Sequence, residues 1–306
     1  MTTSSHFSTI ELSPRIHRRP RRNWSGWSFV APFMVVFLFA LIAPVFYAIY
    51  LSLFREQIVG GNAFVWLANY GRAFTDPKFW ESTGRVALLL AVQVPIMLGL
   101  ALIAALALDS TQLHWAPLFR LSIFLPYAVP GVVAALMWGF MYGSRFGLVG
   151  NLDSFFHIQL PNPFSSNLVL ASIGNITVWE FTGYNMLIFF SALRVVPNDI
   201  YEAAEIDGAN AWQVIRSIKI PALRPAILIT VIFSIIGTSQ LFNEPDILQV
   251  LSPNTISTYF SPNMYAYNLS FAGQEYNYSA AIAIVMGLIV MIIAYSVQLG
   301  ATRKEA

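Results

Sequence analysis

Glu180 is the one charged residue in an apolar run that extends from about residue 167 to residue 193, within the segment NITVWEFTGYNMLIFF. If this run is helical, Tyr184 shares a face with Glu180 through its i+4 spacing, and Trp179 and Asn185 lie close by. A carboxylate and an amide form hydrogen bonds, and an aromatic ring packs against an apolar face. These residue types predict a binding site for a polar solute. The alternative is a structural hydrogen bond from Glu180 to another helix.

A second polar cluster ends a later apolar run, in the segment GTSQLFNEPDIL. Ser239, Gln240 and Asn243 are polar at positions i, i+1 and i+4, and Glu244 follows them. This cluster is the second candidate for the solute-binding site.

Motifs for catalysis are missing from the sequence. There is no G-x-x-x-x-G-K-[ST] loop for phosphates and no H-E-x-x-H metal motif. The four histidines are scattered and there is no cysteine, so neither a thiolate metal site nor a disulfide arises. We expect no enzyme activity, metal or cofactor on this chain.

The composition indicates a membrane protein. Hydrophobic residues make up 57% of the chain, charged residues only 10%, and the mean hydropathy is +0.62, whereas soluble domains carry about 25% charged residues. A membrane-spanning helix needs about 20 apolar residues. The apolar blocks predict an all-α protein with about six spans, at residues 27–54, 85–108, 118–142, 167–193, 223–243 and 278–300. A charge inside a span costs about 2.5–3.5 kcal/mol or more, so Glu180 is expected to face a cavity or a partner.

Charged residues outside the apolar blocks predict the orientation. Most of the basic residues fall in segments that share one side if both termini are cytoplasmic, as the positive-inside rule requires. We expect a basic tail over residues 1–26, lying against membrane lipid rather than nucleic acid, and a short tail over residues 301–306. The first apolar run is too long for a cleaved signal peptide, so we expect a multi-pass protein of a bacterial cytoplasmic (inner) membrane.

The segment YEAAEIDGANAWQVIRSIKIP, residues 201–221, interrupts the apolar pattern with charges. Asp199 and Glu202 have capping-box spacing and predict the start of a helix. Asp207-Gly208 predicts its end, and a second helix is expected over about 210–218. The charged interruption therefore predicts a helix–turn–helix on the cytoplasmic side, within a loop over residues 194–222.

This segment resembles the EAA signature of ATP-binding-cassette (ABC) importer permeases. The matching positions are Glu202-Ala203-Ala204, Gly208, Ile218 and Pro221. The segments WLANYGRAFTDPKFW, FRLSIFLPYAVPGVVAALMWGFMY and GLVGNLD are similar to permeases of sugar importers, the relatives of the larger membrane subunit of maltose-type transporters. The chain departs from the family by Ile220 before the proline, where leucine is usual, and by lacking a Gly-Gly-Pro run after the fifth span.

The resemblance implies the fold of a type I ABC importer permease and a coupling helix that docks on an ATP-binding subunit. The residues carried over to that role are Glu202, Ala203, Ala204, Asp207, Gly208, Ile218 and Pro221. It further implies four kinds of partner: a second EAA-type permease, two ATP-binding cassette subunits that carry the ATP and Mg, an extracytoplasmic sugar-binding protein, and membrane lipid.

For the solute, the resemblance implies a carbohydrate, expected to be a di- or oligosaccharide, bound by side chains of the fourth and fifth spans. The residues predicted to bind it are Trp179, Glu180, Tyr184, Asn185, Ser239, Gln240, Asn243 and Glu244. Three alternatives stay open: an ABC permease for a non-sugar solute, an ion-coupled secondary transporter, for which inverted repeats would be expected, and, least favoured, a membrane enzyme.

Overall fold

The computed structural model describes residues 25–57, 60–110, 113–144 and 147–302. The predicted tails lie outside the described residues, apart from residues 25–26 and 301–302. Backbone contacts divide the chain into a unit up to Tyr47 and a larger unit from Ala48 onward. The first unit contains α1 (Ser25–Phe37), a π-helical turn (Leu38–Ile42) and most of α2 (Ala43–Ser52).

Helices make up most of the second unit. In chain order they are α3 (Ala68–Thr75), α4 (Pro77–Leu108), α5 (Ala116–Phe124), a 3-10 turn (Leu125–Ala128), α6 (Gly131–Met141), α7 (Leu148–Phe156), α8 (Val169–Leu193), α9 (Asn198–Ile206), α10 (Ala211–Val214), a π-helical turn (Ile215–Lys219), α11 (Ile220–Ala222), α12 (Arg224–Ser239), α13 (Asn243–Gln249), α14 (Pro262–Phe271) and α15 (Tyr276–Thr302). The fold is that of a helical membrane protein, as predicted.

One element departs from a purely helical chain. Strands β1 (Phe54–Gln57) and β2 (Gly61–Phe64) form an antiparallel two-stranded ribbon in which Phe54 pairs with Phe64. The aromatic rings of that pair stand edge to face at 5.2 Å. Cross-strand aromatic contacts of this kind stabilise short ribbons. The sequence-based expectation of helix alone missed this ribbon.

Four helices of the described chain are long and apolar enough to cross a membrane: Gly26–Ser52, Pro77–Leu108, Arg224–Gln249 and Tyr276–Ala301. A fifth arises if the bent pair Ala116–Ala128 and Gly131–Met141 counts as one span. Helix α8 has 25 residues but is not among them, because polar residues such as Asn175, Glu180 and Asn185 lower its hydropathy. The count of six spans stays a prediction.

The third predicted span, residues 118–142, does not form one helix. The chain bends by 97° between Ala128 and Gly131, where Val129 is extended with ψ 127°. Pro130 has no N–H to continue the helix and disfavours a helical conformation at the residue before it. Two shorter helices, α5 and α6, therefore replace the continuous helix that the apolar run predicts.

The fifth predicted span is also interrupted. Helix α12 ends at Ser239, and α13 begins at Asn243 after Phe242, whose backbone leaves the helical region with φ −147° and ψ −56°. Acidic Glu244 and Asp246 lie in the first turn of α13, where the helix dipole favours negative charge. The polar cluster predicted at residues 239–244 therefore lies at a helix break.

Helices α4 and α8 pack along their lengths and form the centre of the second unit. Their shared core includes Met97, Ala101, Met186, Phe189 and Leu193, all buried. Ala101 is the small residue of this set, and small residues allow membrane helices to approach closely.

One glycine sets the position of α8 against the bent span. A Cβ on Gly183 would collide with the carbonyl oxygen of Ile123 in α5. Hydrogen is therefore the largest substituent that this contact accepts, and α8 lies against the backbone just before the bend.

Candidate functional site

The charged interruption forms the predicted helix–turn–helix, which we call the coupling segment (residues 194–222). Its first helix, α9, begins at Asn198 after Pro197, without a side-chain cap. The predicted capping box of Asp199 with Glu202 is therefore wrong, because proline at the preceding position already directs the chain into the helix. Asp199 instead lies in the first turn, where its charge complements the helix dipole.

The turn at Gly208 matches the prediction. Gly208 has φ +75°, its N–H donates to Glu205 O (3.0 Å), and the N–H of Ala209 donates to Ala204 O (2.9 Å). This pair of hydrogen bonds is the Schellman arrangement, which needs a left-handed residue at the helix end. Glycine adopts that conformation without the steric penalty of a Cβ.

The second helix begins with a cap that the sequence reading overlooked. Asn210 Oδ1 accepts from the Gln213 N–H (2.9 Å), and Gln213 Oε1 accepts from the Asn210 N–H (2.7 Å). This is a capping box with Asn and Gln in place of Ser/Thr and Glu. The helix then widens into the π-helical turn and continues to Ala222, four residues beyond the predicted end.

The signature residues lie on an accessible surface. Glu202, Ala203, Asp207 and Gly208 are exposed, and Ala204, Ile218 and Pro221 are half-buried. Large apolar side chains surround them, with Ile206 exposed by 87%, Trp212 by 66% and Ile200 by 44%. An exposed apolar patch rimmed by charges is typical of a protein–protein contact. The role of the signature residues stays a prediction.

A cavity of about 350 Å³ opens between the central helices and the broken segments. Four parts of the chain line it: α4, the 3-10 turn, α8, and the end of α12 with the α12–α13 break. The lining residues are Gln93, Met97, Tyr127, Thr177, Phe181, Tyr184, Asn185, Phe233, Ser234, Gly237, Thr238, Gln240, Leu241, Phe242, Asn243 and Glu244. Among the residues that the structure describes, no lysine, arginine or histidine belongs to this lining.

The cavity brings together five of the eight residues predicted to bind the solute: Tyr184, Asn185, Gln240, Asn243 and Glu244. The two predicted clusters, more than fifty residues apart in the sequence, therefore form one site. The lining contains amide and carboxylate groups as well as aromatic rings.

The other three predicted residues do not line the cavity. Trp179 packs edge to face on Trp138, with ring centroids 5.8 Å apart, and Ser239 is buried. Glu180 lies next to the lining: a Cβ on Gly131 would be 3.6 Å from Glu180 Oε1 and 3.8 Å from Asn243 Nδ2. Both are ordinary van der Waals distances, so the Glu180 carboxylate and the Asn243 amide both lie close to the first residue of α6.

Glu180 is almost fully buried, with 6% of its surface exposed, and its Oε2 has no hydrogen-bond partner in the described chain. Its other oxygen lies near Gly131, the first residue of α6. The N-terminal end of a helix carries partial positive charge and unpaired N–H groups. The bend in the third span thus places a favourable dipole beside the one carboxylate of α8.

The aromatic residues of the lining include a stacked pair. The rings of Tyr127 and Tyr184 lie 4.7 Å apart with 19° between their planes, and Phe181 contacts Tyr127 edge to face at 5.8 Å. Tyr127 was not predicted as a site residue, because the third span was expected to be continuous.

Gln93 was also missed, although it is the only amide in its apolar run. It is buried, and its Oε1 has no hydrogen-bond partner in the part of the chain that the structure describes. A lone buried amide in a span is a signal for a functional contact, so the sequence could have pointed to it.

Comparison with known proteins gives the family. A profile described as "Binding-protein-dependent transport system inner membrane component" matches residues 28–303. The chain belongs to this family of membrane components of transport systems. It is a multi-pass membrane protein and a permease subunit, as the EAA resemblance implied.

Several characterised permeases are similar along nearly their whole length. The lactose transport system permease protein LacF of Rhizobium radiobacter is 33% identical over 279 residues, covering 89% of this chain and 92% of LacF. The trehalose/maltose transport system permease protein MalF of Thermococcus litoralis is 30% identical, covering 87% of this chain and 90% of MalF.

A solved structure supports the fold. A bacterial alginate ABC transporter, in complex with alginate pentasaccharide-bound periplasmic protein, contains a chain that superposes with a TM-score of 0.81. The superposition covers 92% of this chain and 95% of that one at 18% identity. The type I ABC importer permease fold predicted from the sequence is confirmed.

Proposed function

We propose that this chain is one of two permease subunits of an ATP-driven, binding-protein-dependent carbohydrate importer and that the cavity between α4, α8 and the α12–α13 break is its half of the sugar pathway. The observation that carries the proposal is the chemistry of the cavity wall. Amide and carboxylate groups suit the hydroxyl rim of a sugar, and aromatic rings suit its C–H face.

The volume of the cavity fits the proposed solute class. At about 350 Å³ it lies at the lower end of the range for small-molecule sites, about 300–1,000 Å³. Similarity to lactose and trehalose/maltose permeases supports a di- or oligosaccharide.

ATP is proposed to act through separate subunits that dock on the coupling segment. The exposed Ile206 and Trp212 and the signature residues Glu202, Ala203 and Gly208 form the docking surface. We propose that the full assembly contains a second permease, two ATP-binding subunits with their ATP and Mg, and an extracytoplasmic sugar-binding protein.

Both termini are proposed to be cytoplasmic, with six spans in the inner membrane. The distribution of basic residues supports this orientation. Reporter fusions after Arg120 and Lys304 are expected to report cytoplasm, and fusions near Asp153 and Asn263 the opposite side. An external C-terminus would contradict the arrangement.

Sugar uptake tests the proposed function directly. The complete transporter, reconstituted in vesicles with its binding protein, is expected to import a labelled di- or oligosaccharide only when ATP is present on the side of the coupling segment. Import driven by an ion gradient without ATP would indicate a secondary transporter. ATP-dependent import of amino acids but not sugars would keep the permease class and reject the sugar.

A further inference from the structure

Asp109 lies at an unfavourable place for an acid. It directly follows Leu108 at the C-terminal end of α4, and its N–H still donates to Ala105 O (3.0 Å). The C-terminal end of a helix carries partial negative charge, so a carboxylate there is destabilising unless it is compensated. Its side chain is only 9% exposed, which makes compensation necessary.

Lys219 supplies the compensating charge. Its Nζ donates to Asp109 Oδ2 at 2.6 Å, and its side chain is 14% exposed. Lys219 ends the π-helical turn of the coupling segment, directly before Ile220 and Pro221. The ion pair therefore connects the second helix of the coupling segment to the end of α4.

The end of α8 reaches the same carboxylate, and the first helix of the coupling segment lies next to Lys219. Arg194, which follows α8, has its Nε 3.8 Å from Asp109 Oδ1 and its guanidinium 5.0 Å from the ring of Phe190. Tyr201 of α9 has its ring 5.5 Å from Lys219 Nζ. Burial raises the pKa of the Tyr201 hydroxyl, and the negative charge of Asp109 adds to this shift.

The helices joined at Asp109 are those that line the cavity. Gln93 and Met97 belong to α4, and Tyr184 and Asn185 belong to α8. Both helices are continuous from the cavity to the contacts at Asp109. A displacement of the coupling segment would therefore move these walls directly, because a buried ion pair resists separation.

We propose that Asp109 is a positioning residue that fixes the coupling segment to the ends of α4 and α8 throughout the transport cycle, so that movement of the ATP-binding subunits reaches the solute cavity. This inference rests on the proposed function.

A double-mutant cycle tests it in the reconstituted complete transporter. The variants are Asp109→Asn, Lys219→Gln and the two combined, and the measurement is solute imported per ATP hydrolysed, beside the yield of assembled complex. Each single variant is expected to lower this ratio by about tenfold, since one buried charge loses its partner. The double variant is expected to be no worse than the worse single variant, because the two side chains act as one unit.

Two further measurements separate positioning from mere stability. The apparent KM for the sugar is expected to stay unchanged in all three variants, because none of the substituted residues lines the cavity. Arg224→Gln, an exposed cation at the start of α12, is the matched control and is expected to keep the wild-type ratio. Additive losses in the double variant, or an unchanged ratio in Asp109→Asn, would overturn the inference.

A reversible covalent link between positions 109 and 219 tests whether these residues stay together during transport. The test needs only a variant that still assembles. The chain has no cysteine, so Asp109→Cys with Lys219→Cys can be linked by a short bifunctional thiosulfonate, using partner subunits without accessible cysteines. The bridged transporter is expected to retain coupled transport and to lose it on reduction. Bridged transporters that cannot transport, or reduced ones that remain coupled, would overturn the inference.

The experiments also distinguish a wrong proposed function from a wrong role for Asp109. If the wild-type complex does not import any sugar with ATP, the proposed function itself is rejected. If wild type imports sugar and Asp109→Asn has the same transport per ATP, only the role of Asp109 is rejected.

Discussion

The ring of Tyr184 in α8 stacks on the ring of Tyr127 in the 3-10 turn, with centroids 4.7 Å apart. Tyr184 was predicted from its helical spacing to Glu180, whereas Tyr127 reaches the cavity only because the third span bends. The stacked pair therefore contains one residue that the sequence predicted, Tyr184, and one that only the tertiary structure brings to the site, Tyr127.

Loss of the Tyr184 ring is expected to weaken sugar binding. Tyr184→Ala removes one stacking surface and leaves Tyr127 without its partner, so the apparent KM for the sugar-loaded binding protein is expected to rise about tenfold. Tyr184→Phe keeps the ring and is expected to remain close to wild type. Tyr295→Ala, an exposed tyrosine of α15, is the control. A normal KM in Tyr184→Ala would remove this ring from the site.

Substitution of Glu180 distinguishes a pathway residue from a structural one. Glu180→Gln keeps the shape and part of the hydrogen bonding, so it is expected to be milder than Glu180→Leu. An unsatisfied buried polar partner costs about 1–3 kcal/mol, so the Leu variant is expected to lose roughly tenfold or more in apparent affinity. Uptake assays beside complex yield measure both effects, with Glu81→Gln as the control. Lost assembly with normal affinity in the Leu variant would identify a purely structural role.

Gly208 is expected to tolerate only residues that accept a positive φ. A Cβ at this position meets no atom within 4 Å, so the cost of Gly208→Val is backbone strain, about 1–2 kcal/mol, rather than a collision. Gly208→Asn is expected to be milder because asparagine adopts the left-handed conformation more readily. The binding protein is expected to stimulate ATP hydrolysis less in Gly208→Val than in wild type, and almost as much as in wild type in Gly208→Asn.

The control for Gly208 is Gly71→Ala, which also has open space but lies inside α3 at negative φ. It is expected to leave ATP hydrolysis and uptake unchanged. Equal activity of Gly208→Val and wild type would mean that the turn geometry is not needed for coupling to the ATP-binding subunits.

Asp76 is expected to make stability depend on pH in acid. It caps α4 by accepting from the Lys78 N–H (2.9 Å), and the hydroxyls of Tyr265 and Tyr278 donate to its Oδ2 at 2.5 and 2.6 Å. Burial acts to raise the pKa of this carboxyl, but the hydrogen bonds outweigh it and lower the pKa below its ordinary value of 3.8.

The sign of the effect follows from proton binding. The unfolded chain binds the proton more tightly than the folded one, so the stabilisation from Asp76 is complete above its unfolded pKa and is lost as pH falls through the lower folded value. Thermal unfolding of the purified protein between pH 7 and pH 3 measures it. Asp76→Asn is expected to unfold at a lower temperature at pH 7 and to lose less on acidification than wild type or Glu81→Gln. If the unfolding temperatures of all three proteins fell equally with pH, Asp76 would not be the source of the pH dependence.

Local sequence rules predicted the coupling segment well. Gly208 acts on the backbone within a few residues, so the turn could be derived without knowledge of the rest of the chain. The start of α9 was assigned to Asp199 and Glu202, although the helix begins directly after Pro197. Tyr184, Asn185 and Asn243 could also be predicted as site residues from local sequence. A polar side chain in a membrane span is costly whatever the span packs against, so it signals a cavity or a partner.

The rest of the site depends on contacts between distant segments. Pro126 and Pro130 were visible in the sequence, yet the continuous apolar run around them favoured a straight span. Pro130 ends the helix locally, and α8 packs directly against the first half of the bent span because glycine at position 183 allows the approach to Ile123. Hydropathy measures the length and polarity of a run but not its direction, so Tyr127 could not be placed from hydropathy.

The bend at Pro130 also bears on how this region is made. Residues 116–141 leave the ribosome before α8 exists, and the two halves, about 20 and 16 Å long, are each too short for a hydrocarbon core of about 30 Å. The nascent chain is therefore expected to insert this run as a single extended crossing, which glycosylation mapping of chains that end near residue 160 would detect. We then expect α8 to act as the template on which a segment synthesised before it folds, so that the cavity forms only after this later helix has been made.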